Sequence, residues 1–208
     1  MVNRSRTARG PRQADSSPTR QEDGRWNELL RISATLFAER GYQSTTLQDI
    51  ADQFGVLKGS LYHYIRSKDD LLYEIVHSVY TGGVRNLREL AAADTDPAAR
   101  LRAVVQGHVL YLIDNLIATT VLLHEIEQLS EERRGEIRLR EYTAVLAELI
   151  DEAQRDGVVK PGVDPHLATL AVLGAVNWVY RWYRPDGGHT PAEIAAQYAD
   201  VLVDGLLS

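Results

Sequence analysis

Lys58, Gly59, Ser60, Tyr62 and His63, with Lys68 just beyond, occupy the positions left over once Leu47, Ile50, Ala51, Phe54, Val56, Leu61 and Tyr64 are set aside as apolar or small. Cations and hydroxyls bind phosphate oxygens, and a glycine among them lets a backbone approach closely. That is the chemistry of a short helix laid in the major groove of a DNA duplex. The bland alternative is a helical corner inside a bundle. It does not explain why Lys, Ser, Tyr and His are the residues turned outward.

A second constellation runs from Asn177 to Gly187. Trp178, Arg181 and Trp182 share a face by i, i+3, i+4 spacing, with Tyr180 and Arg184 on another. Aromatic surface beside guanidinium groups suits a ligand with a planar ring and phosphates, such as an adenine nucleotide tail. Arginine packed on aromatics at a helix end is the structural alternative, and the pattern alone does not choose. His108 and Tyr111 fall in one apolar helix, where the histidine reads as a core residue or as pocket lining. His124 and Glu125 are further pocket candidates. His124-Glu125-x-x-Gln128 lacks the second histidine of a zinc-protease helix, so no metal is expected there.

Other chemistry is excluded. The 208 residues contain no cysteine, which removes disulfides, thiol nucleophiles and Cys-based metal sites. No G-x-S-x-G elbow, complete P-loop or G-x-G-x-x-G turn is present, so neither an enzyme nor a resident cofactor is expected. The absence of cysteine agrees with a reducing cytoplasm. The first 25 residues carry arginines without the apolar stretch of a secretory signal. The longest apolar run, 167–176, is interrupted by Thr169 and falls short of the ~20 residues of a membrane helix. A cytoplasmic protein without membrane contact is the expectation.

The elements that must position these groups are helical throughout. Hydrophobic residues make up 44% and charged residues 25%, and the length suits one large core, or one core plus a small appended module. Residues 1–20, rich in Arg, Ser, Thr and Pro, read as a disordered arm. Trp26, Leu29, Leu30, Ser33, Leu36 and Phe37 then mark a first helix stopped by Gly41. Thr45 with Gln48 predicts a capping box for a second helix, Gly55-Val56 breaks it, and a third runs from about Leu57 to Tyr64. Ser67 with Asp70 opens a long fourth helix, in which Gly82-Gly83 is either a bend or a place for close packing.

A fifth helix around Leu101–Leu112 follows, then a sixth over Thr120–Leu129 and a long seventh over Ser130–Asp156 closed by Gly157. Asp164-Pro165 opens an eighth reaching Arg184, and Thr190-Pro191-Ala192-Glu193 caps a ninth. No segment alternates with period two. The expectation is an all-α protein of about nine helices, with a helix-turn-helix domain over 21–66 and a larger helical domain over 67–208. The eighth helix is apolar nearly all round and must be covered on two sides, either as a central core helix or, with the ninth, as half of a four-helix dimer interface. Glu131, Glu132 and Glu136 beside Arg133, Arg134, Arg138 and Arg140 read as a solvated, ion-paired face.

The net charge of −6 divides unevenly, +2 over residues 1–72 and −8 over 73–208. A basic N-terminal part on an acidic body is compatible with DNA binding, because phosphate attraction decays over ~8 Å at physiological salt.

Phe37-Ala38-Glu39-Arg40-Gly41-Tyr42, Thr45-Thr46-x-x-x-Ile50-Ala51 and Gly55-Val56-x-x-Gly59-Ser60-Leu61-Tyr62-His63-Tyr64-x-x-Ser67-Lys68-x-x-Leu71-Leu72 together resemble the N-terminal domain of TetR-family transcriptional regulators. The resemblance implies that Thr46, Lys58, Ser60, Tyr62, His63 and Lys68 contact operator DNA; Thr45, Gly59 and Tyr64 complete the candidate set. The family usually has Ser or Thr where this chain has Leu57, and a leucine cannot cap the recognition helix. The stretch 177–193 resembles the C-terminal signature of TetR regulators that sense acyl-CoA thioesters of fatty-acid or steroid-ring catabolism. On that resemblance, His108, Tyr111, His124, Glu125, Asn177, Trp178, Arg181, Trp182 and Arg184 are the candidate effector-binding residues. The implied protein is a homodimeric repressor, paired through its two C-terminal helices and released from double-stranded operator DNA by a small molecule. A hydrophobic drug-like cation is the alternative effector, one that would favour acids such as Glu125 or Asp114.

Overall fold

The computed structural model describes residues 20–137 and 139–207. The arm assigned to 1–20 therefore lies outside the described residues except at its last position, where Arg20 already begins α1 (Arg20–Arg40). Eleven α-helices follow one another among the described residues: α1, α2 (Leu47–Phe54), α3 (Lys58–Leu61), α4 (Lys68–Ala91), α5 (Pro97–Asp114), α6 (Leu116–Glu125), α7 (Glu131–Glu136), α8 (Arg140–Arg155), α9 (Pro165–Asn177), α10 (Val179–Trp182) and α11 (Pro191–Asp204). A single 3-10 turn, Ile126–Gln128, extends α6. No strand forms among the described residues; one isolated antiparallel bridge joins Val159 to Leu207. Counting the broken pairs α7–α8 and α9–α10 as one helix each gives the nine expected.

The fifth and sixth helices are separate as expected, while the expected seventh and eighth are each divided at a point that carries no Gly or Pro. The fifth and sixth helices turn by 93° at Asn115, whose side-chain amide donates to the Tyr111 carbonyl at 2.9 Å. The expected long seventh helix is divided into α7, ending at Glu136, and α8, beginning at Arg140, and Ile137 just after α7 is buried with the α1–α3 core. The eighth breaks at Trp178.

Caps, by contrast, follow the sequence with one shift of register. Ser67 and Asp70 form a reciprocal capping box on α4, as do Thr190 and Glu193 on α11. On α2 the box is Thr46 with Asp49, not Thr45 with Gln48. An ionised carboxylate is the better partner for the positive end of a helix, and Gln48 bonds to Asp52 instead.

Two apolar cores are joined by α4. The first gathers Leu29, Phe37, Ile50, Phe54 and Leu61 from α1–α3 with Leu71, Leu72, Ile75 and Val76 from the start of α4, and takes Val121, Leu129 and Ile137 from further on. The second packs α5, α8, α9 and α11 around Val105, Leu112, Ile150, Val176 and Ala199, and includes Leu87 from the end of α4. The first core thus continues well past residue 66. Gly82 and Gly83 serve close packing: a side-chain carbon at Gly82 would collide with the Tyr111 hydroxyl, and one at Gly83 would press on the Tyr111 ring.

Candidate DNA-reading surface and effector cavity

The corner between α2 and α3 is built on Gly55. Its φ of 73° is left-handed, and its N–H returns to the carbonyls of Ala51 and Asp52. Ala51 is fully buried where the short helices meet. This geometry turns Lys58, Gly59, Tyr62 and His63 to solvent and leaves Ser60 half-buried. Tyr64 is partly exposed, with its ring edge-on to Phe54 at 5.8 Å. Thr46 is exposed, its hydroxyl donating to the Asp49 carboxylate at 2.5 Å.

Two of the expected DNA contacts are corrected. Thr45 is fully buried, and its hydroxyl donates to the Gly41 carbonyl at 2.9 Å. It locks the α1–α2 turn and has no face to offer a duplex. Lys68 points inward: its ammonium donates to the carbonyls of Tyr42 at 2.6 Å and Thr45 at 2.8 Å and lies 4.1 Å from the Tyr42 ring centroid. Burial lowers its pKa from the ordinary lysine value, partly offset by the Glu125 charge. In the free chain the ammonium closes the α1–α2 turn.

The second site is a cavity of about 290 Å³ within the larger domain. α4 contributes Val79 and Tyr80, α5 His108 and Tyr111, α6 Leu122, the 3-10 turn after it Ile126, α8 Tyr142, and α9 Leu173 and Asn177. No Lys, Arg, Asp or Glu among the described residues lines it. His108 is hydrogen-bonded to Asn177, yet burial pushes its pKa down to about 4, so the imidazole is neutral near pH 7. Tyr142 packs 5.0 Å from His108, and burial, then the charges of Tyr80 and Tyr111, drive its phenol pKa far up. The Tyr111 hydroxyl donates to the Val79 carbonyl at 2.8 Å. The wall is apolar, edged by neutral hydroxyl, amide and imidazole groups.

Of the expected effector residues, His108, Tyr111 and Asn177 meet in this cavity; the others do not line it. Glu125 faces the other way and accepts the Tyr42 backbone N–H at 3.1 Å. His124 is exposed and hydrogen-bonded to the Tyr180 hydroxyl at 2.7 Å. Trp178 and Trp182 are 59% and 42% exposed, and Arg181 and Arg184 lie on the surface beside them. Trp182 stacks on Tyr198 of α11. Leu167 and Leu170 of α9 and Val201 of α11 are exposed too, as Trp178 is between α9 and α10 and Trp182 at the end of α10. Sequence reasoning missed Tyr80 and Tyr142. The signal available was a tyrosine on each of two otherwise apolar helix stripes, with Gly82-Gly83 marking where Tyr111 approaches.

A family model described as "Bacterial regulatory proteins, tetR family" matches residues 29–75, and one described as "Tetracyclin repressor-like, C-terminal domain" matches residues 94–206. The chain belongs to the TetR family. TetR-family members are DNA-binding regulators rather than enzymes. Over 91% of its length the chain is 35% identical to the HTH-type transcriptional repressor KstR2 of Rhodococcus jostii, covering 95% of that protein. The solved structure of the ketosteroid transcriptional regulator KstR2 of Mycobacterium tuberculosis superposes with a TM-score of 0.84 at 26% identity, covering 94% of this chain and 97% of that one. AibR, solved in complex with isovaleryl coenzyme A and operator DNA, is 31% identical with a TM-score of 0.76, covering 88% of this chain and 98% of that one. No single helix among the described residues is long and apolar enough to cross a membrane.

Proposed function

We propose that this TetR-family chain is a cytoplasmic repressor that binds a palindromic operator as a homodimer and leaves it when an acyl-CoA thioester occupies the cavity. The observation that carries this reading is the position of the cavity between α4 and α6. Both helices wall it, and both also grip the Tyr42 peptide of the DNA-reading domain, through Lys68 and Glu125. A ligand that binds the DNA-incompetent arrangement better than the other shifts the population, whereas equal affinity for both shifts nothing.

The cavity's neutral wall suits an acyl chain or fused ring, and its volume is at the small end for ligand pockets, too small for a whole coenzyme. The phosphates then belong outside it. Asn177 is in the wall and Trp178, the next residue, is on the surface with Arg181 one turn beyond, so a thioester leaving the cavity beside Asn177 meets aromatic and guanidinium groups. The names of KstR2 and of AibR bound to isovaleryl coenzyme A support the same effector class. A drug-like cation is disfavoured because no carboxylate among the described residues faces the cavity: Glu125 holds Tyr42 and Asp114 is exposed.

The exposed large apolar side chains Leu167, Leu170, Trp178, Trp182 and Val201 support pairing through the C-terminal helices, because a second copy would take them out of water. The DNA-contacting set under this reading is Thr46, Lys58, Gly59, Ser60, Tyr62, His63 and Tyr64. The test is a gel-shift on genomic fragments followed by titration with acyl-CoA thioesters, the free acids and lipophilic cations. Release by thioesters alone is the expected result; release by cations, or by none of the three, rejects the effector assignment. Arg181→Ala should retain operator binding and melting temperature while losing release, by ~10- to 100-fold in effector concentration.

A further inference from the structure

Leu57 is 81% exposed, the largest exposure among the large hydrophobic side chains of the described residues. It belongs to neither apolar core. It sits at the N-cap of α3 in extended conformation, φ −69° and ψ 143°, and supplies no side-chain cap, so the first turn of α3 goes without one. The position therefore forgoes both burial and capping. A residue that breaks two local rules without a compensating contact in the folded chain marks a place where function sets the choice.

Its surroundings say which function. Lys58 and Gly59 follow it, and Tyr62 and His63 stand exposed one turn on. Leu57 is the one aliphatic side chain among the large exposed apolar residues of this surface, the others being Tyr62 and Tyr64. The first residues of a recognition helix are those that reach base edges in the major groove. There, adenine, guanine and cytosine present only donors and acceptors, and thymine alone adds an apolar group, the C5-methyl.

Resting on the repressor reading above, we propose that Leu57 reads sequence by packing its side chain on the C5-methyl of one thymine in each operator half-site. The contact is apolar and water-excluding, so it discriminates a base without a hydrogen bond. Serine or threonine at the same place would cap α3 but would give up that discrimination.

The experiment uses the full chain, its Leu57→Ala and Leu57→Ser variants, and a duplex selected by the wild-type protein from a random pool. Each thymine of the half-site is replaced in turn by deoxyuridine, which removes only the methyl. One position should cost the wild-type protein about fourfold in affinity per half-site, the equivalent of about 0.8 kcal/mol for one methyl-sized group. At that position both variants should bind thymine and uracil duplexes equally, and Leu57→Ser should also melt higher because α3 regains a cap. Leu57 is exposed, so neither change threatens the fold. Equal uracil sensitivity in wild-type and variant proteins, or no sensitive position, overturns the assignment while leaving the repressor reading standing. A wild-type protein that enriches no sequence from the pool overturns both.

Discussion

The backbone N–H of Tyr42 donates to the Glu125 carboxylate at 3.1 Å across 83 positions of chain, joining the α1–α2 turn to the end of α6. The other side of the same residue is held as well, since Lys68 of α4 takes its carbonyl at 2.6 Å. Gln43 adds a bond to Gln128 at 2.6 Å. The backbone of one residue is thus held on both sides by two helices whose further lengths wall the cavity. Displacing α6 against α4 at Leu122 or Ile126 must either carry the turn along or break one side of the clamp.

Glu125→Ala should separate the two domains' responses. It leaves the Tyr42 N–H without its acceptor and Lys68 without its compensating charge, a loss of about 1–3 kcal/mol by thermal melting. Effector titrations of the operator complex should show weakened coupling. Glu125→Gln keeps an oxygen acceptor and should fall between wild type and alanine on both measurements.

The two lysines of the reader should behave oppositely. Lys58→Ala should flatten the salt dependence of operator binding by about 1 per half-site and leave the melting temperature unchanged. Lys68→Ala should destabilise the fold by about 1–3 kcal/mol, because the Tyr42 and Thr45 carbonyls each lose a charged donor, with no loss of salt slope in the protein that remains folded. A flattened slope in Lys68→Ala would restore it to the phosphate contacts.

His108 sets an acid-side limit. Its pKa is depressed from 6.5 to about 4 in the folded state, so between those values the unfolded chain binds more protons than the folded one. Stability on this account rises with pH across about 4 to 6.5 and is flat above. The loss at the acid end is about 3 kcal/mol. Denaturant melts of His108→Gln should lack that slope, and the His108 ring should show no NMR titration above about pH 5.

Gly82 tests packing rather than bending. Gly82→Ala drives a carbon into the Tyr111 hydroxyl and should cost about 1–3 kcal/mol. Tyr111→Phe in the same chain removes the atom struck and should recover part of that loss. A helix that merely needed a flexible joint would show no such rescue.

The helices, their caps and the reader's corner were legible in the sequence because each is decided locally. Gly41 and Gly55 carry the left-handed φ values their turns need, and Ser67–Asp70 and Thr190–Glu193 satisfy their own helix ends. The Thr45/Thr46 ambiguity went the other way because two adjacent threonines each have a capping residue three positions on, and only burial of Thr45 separates them. The cavity was far less legible. His108, Tyr111 and Asn177 were within reach as polar residues on apolar stripes, but the inward turn of Lys68 and the outward turn of Trp178 depend on elements distant in the chain. Glu125 looked like a ligand group for the same reason: nothing near it in sequence announces Tyr42.

The shared first core bears on how such regulators are built and rebuilt. Leu71, Leu72, Ile75 and Val76 of α4, with Val121, Leu129 and Ile137, cover the apolar faces of α1–α3. A fragment ending at residue 66 loses all seven, and the faces they cover would be left open to water. Proteolysis between the domains therefore yields no free reader able to occupy an operator beyond the effector's control. A crossover at that joint would likewise set a foreign reader against these seven side chains, so such a hybrid should hold only where the incoming α1–α3 faces match them.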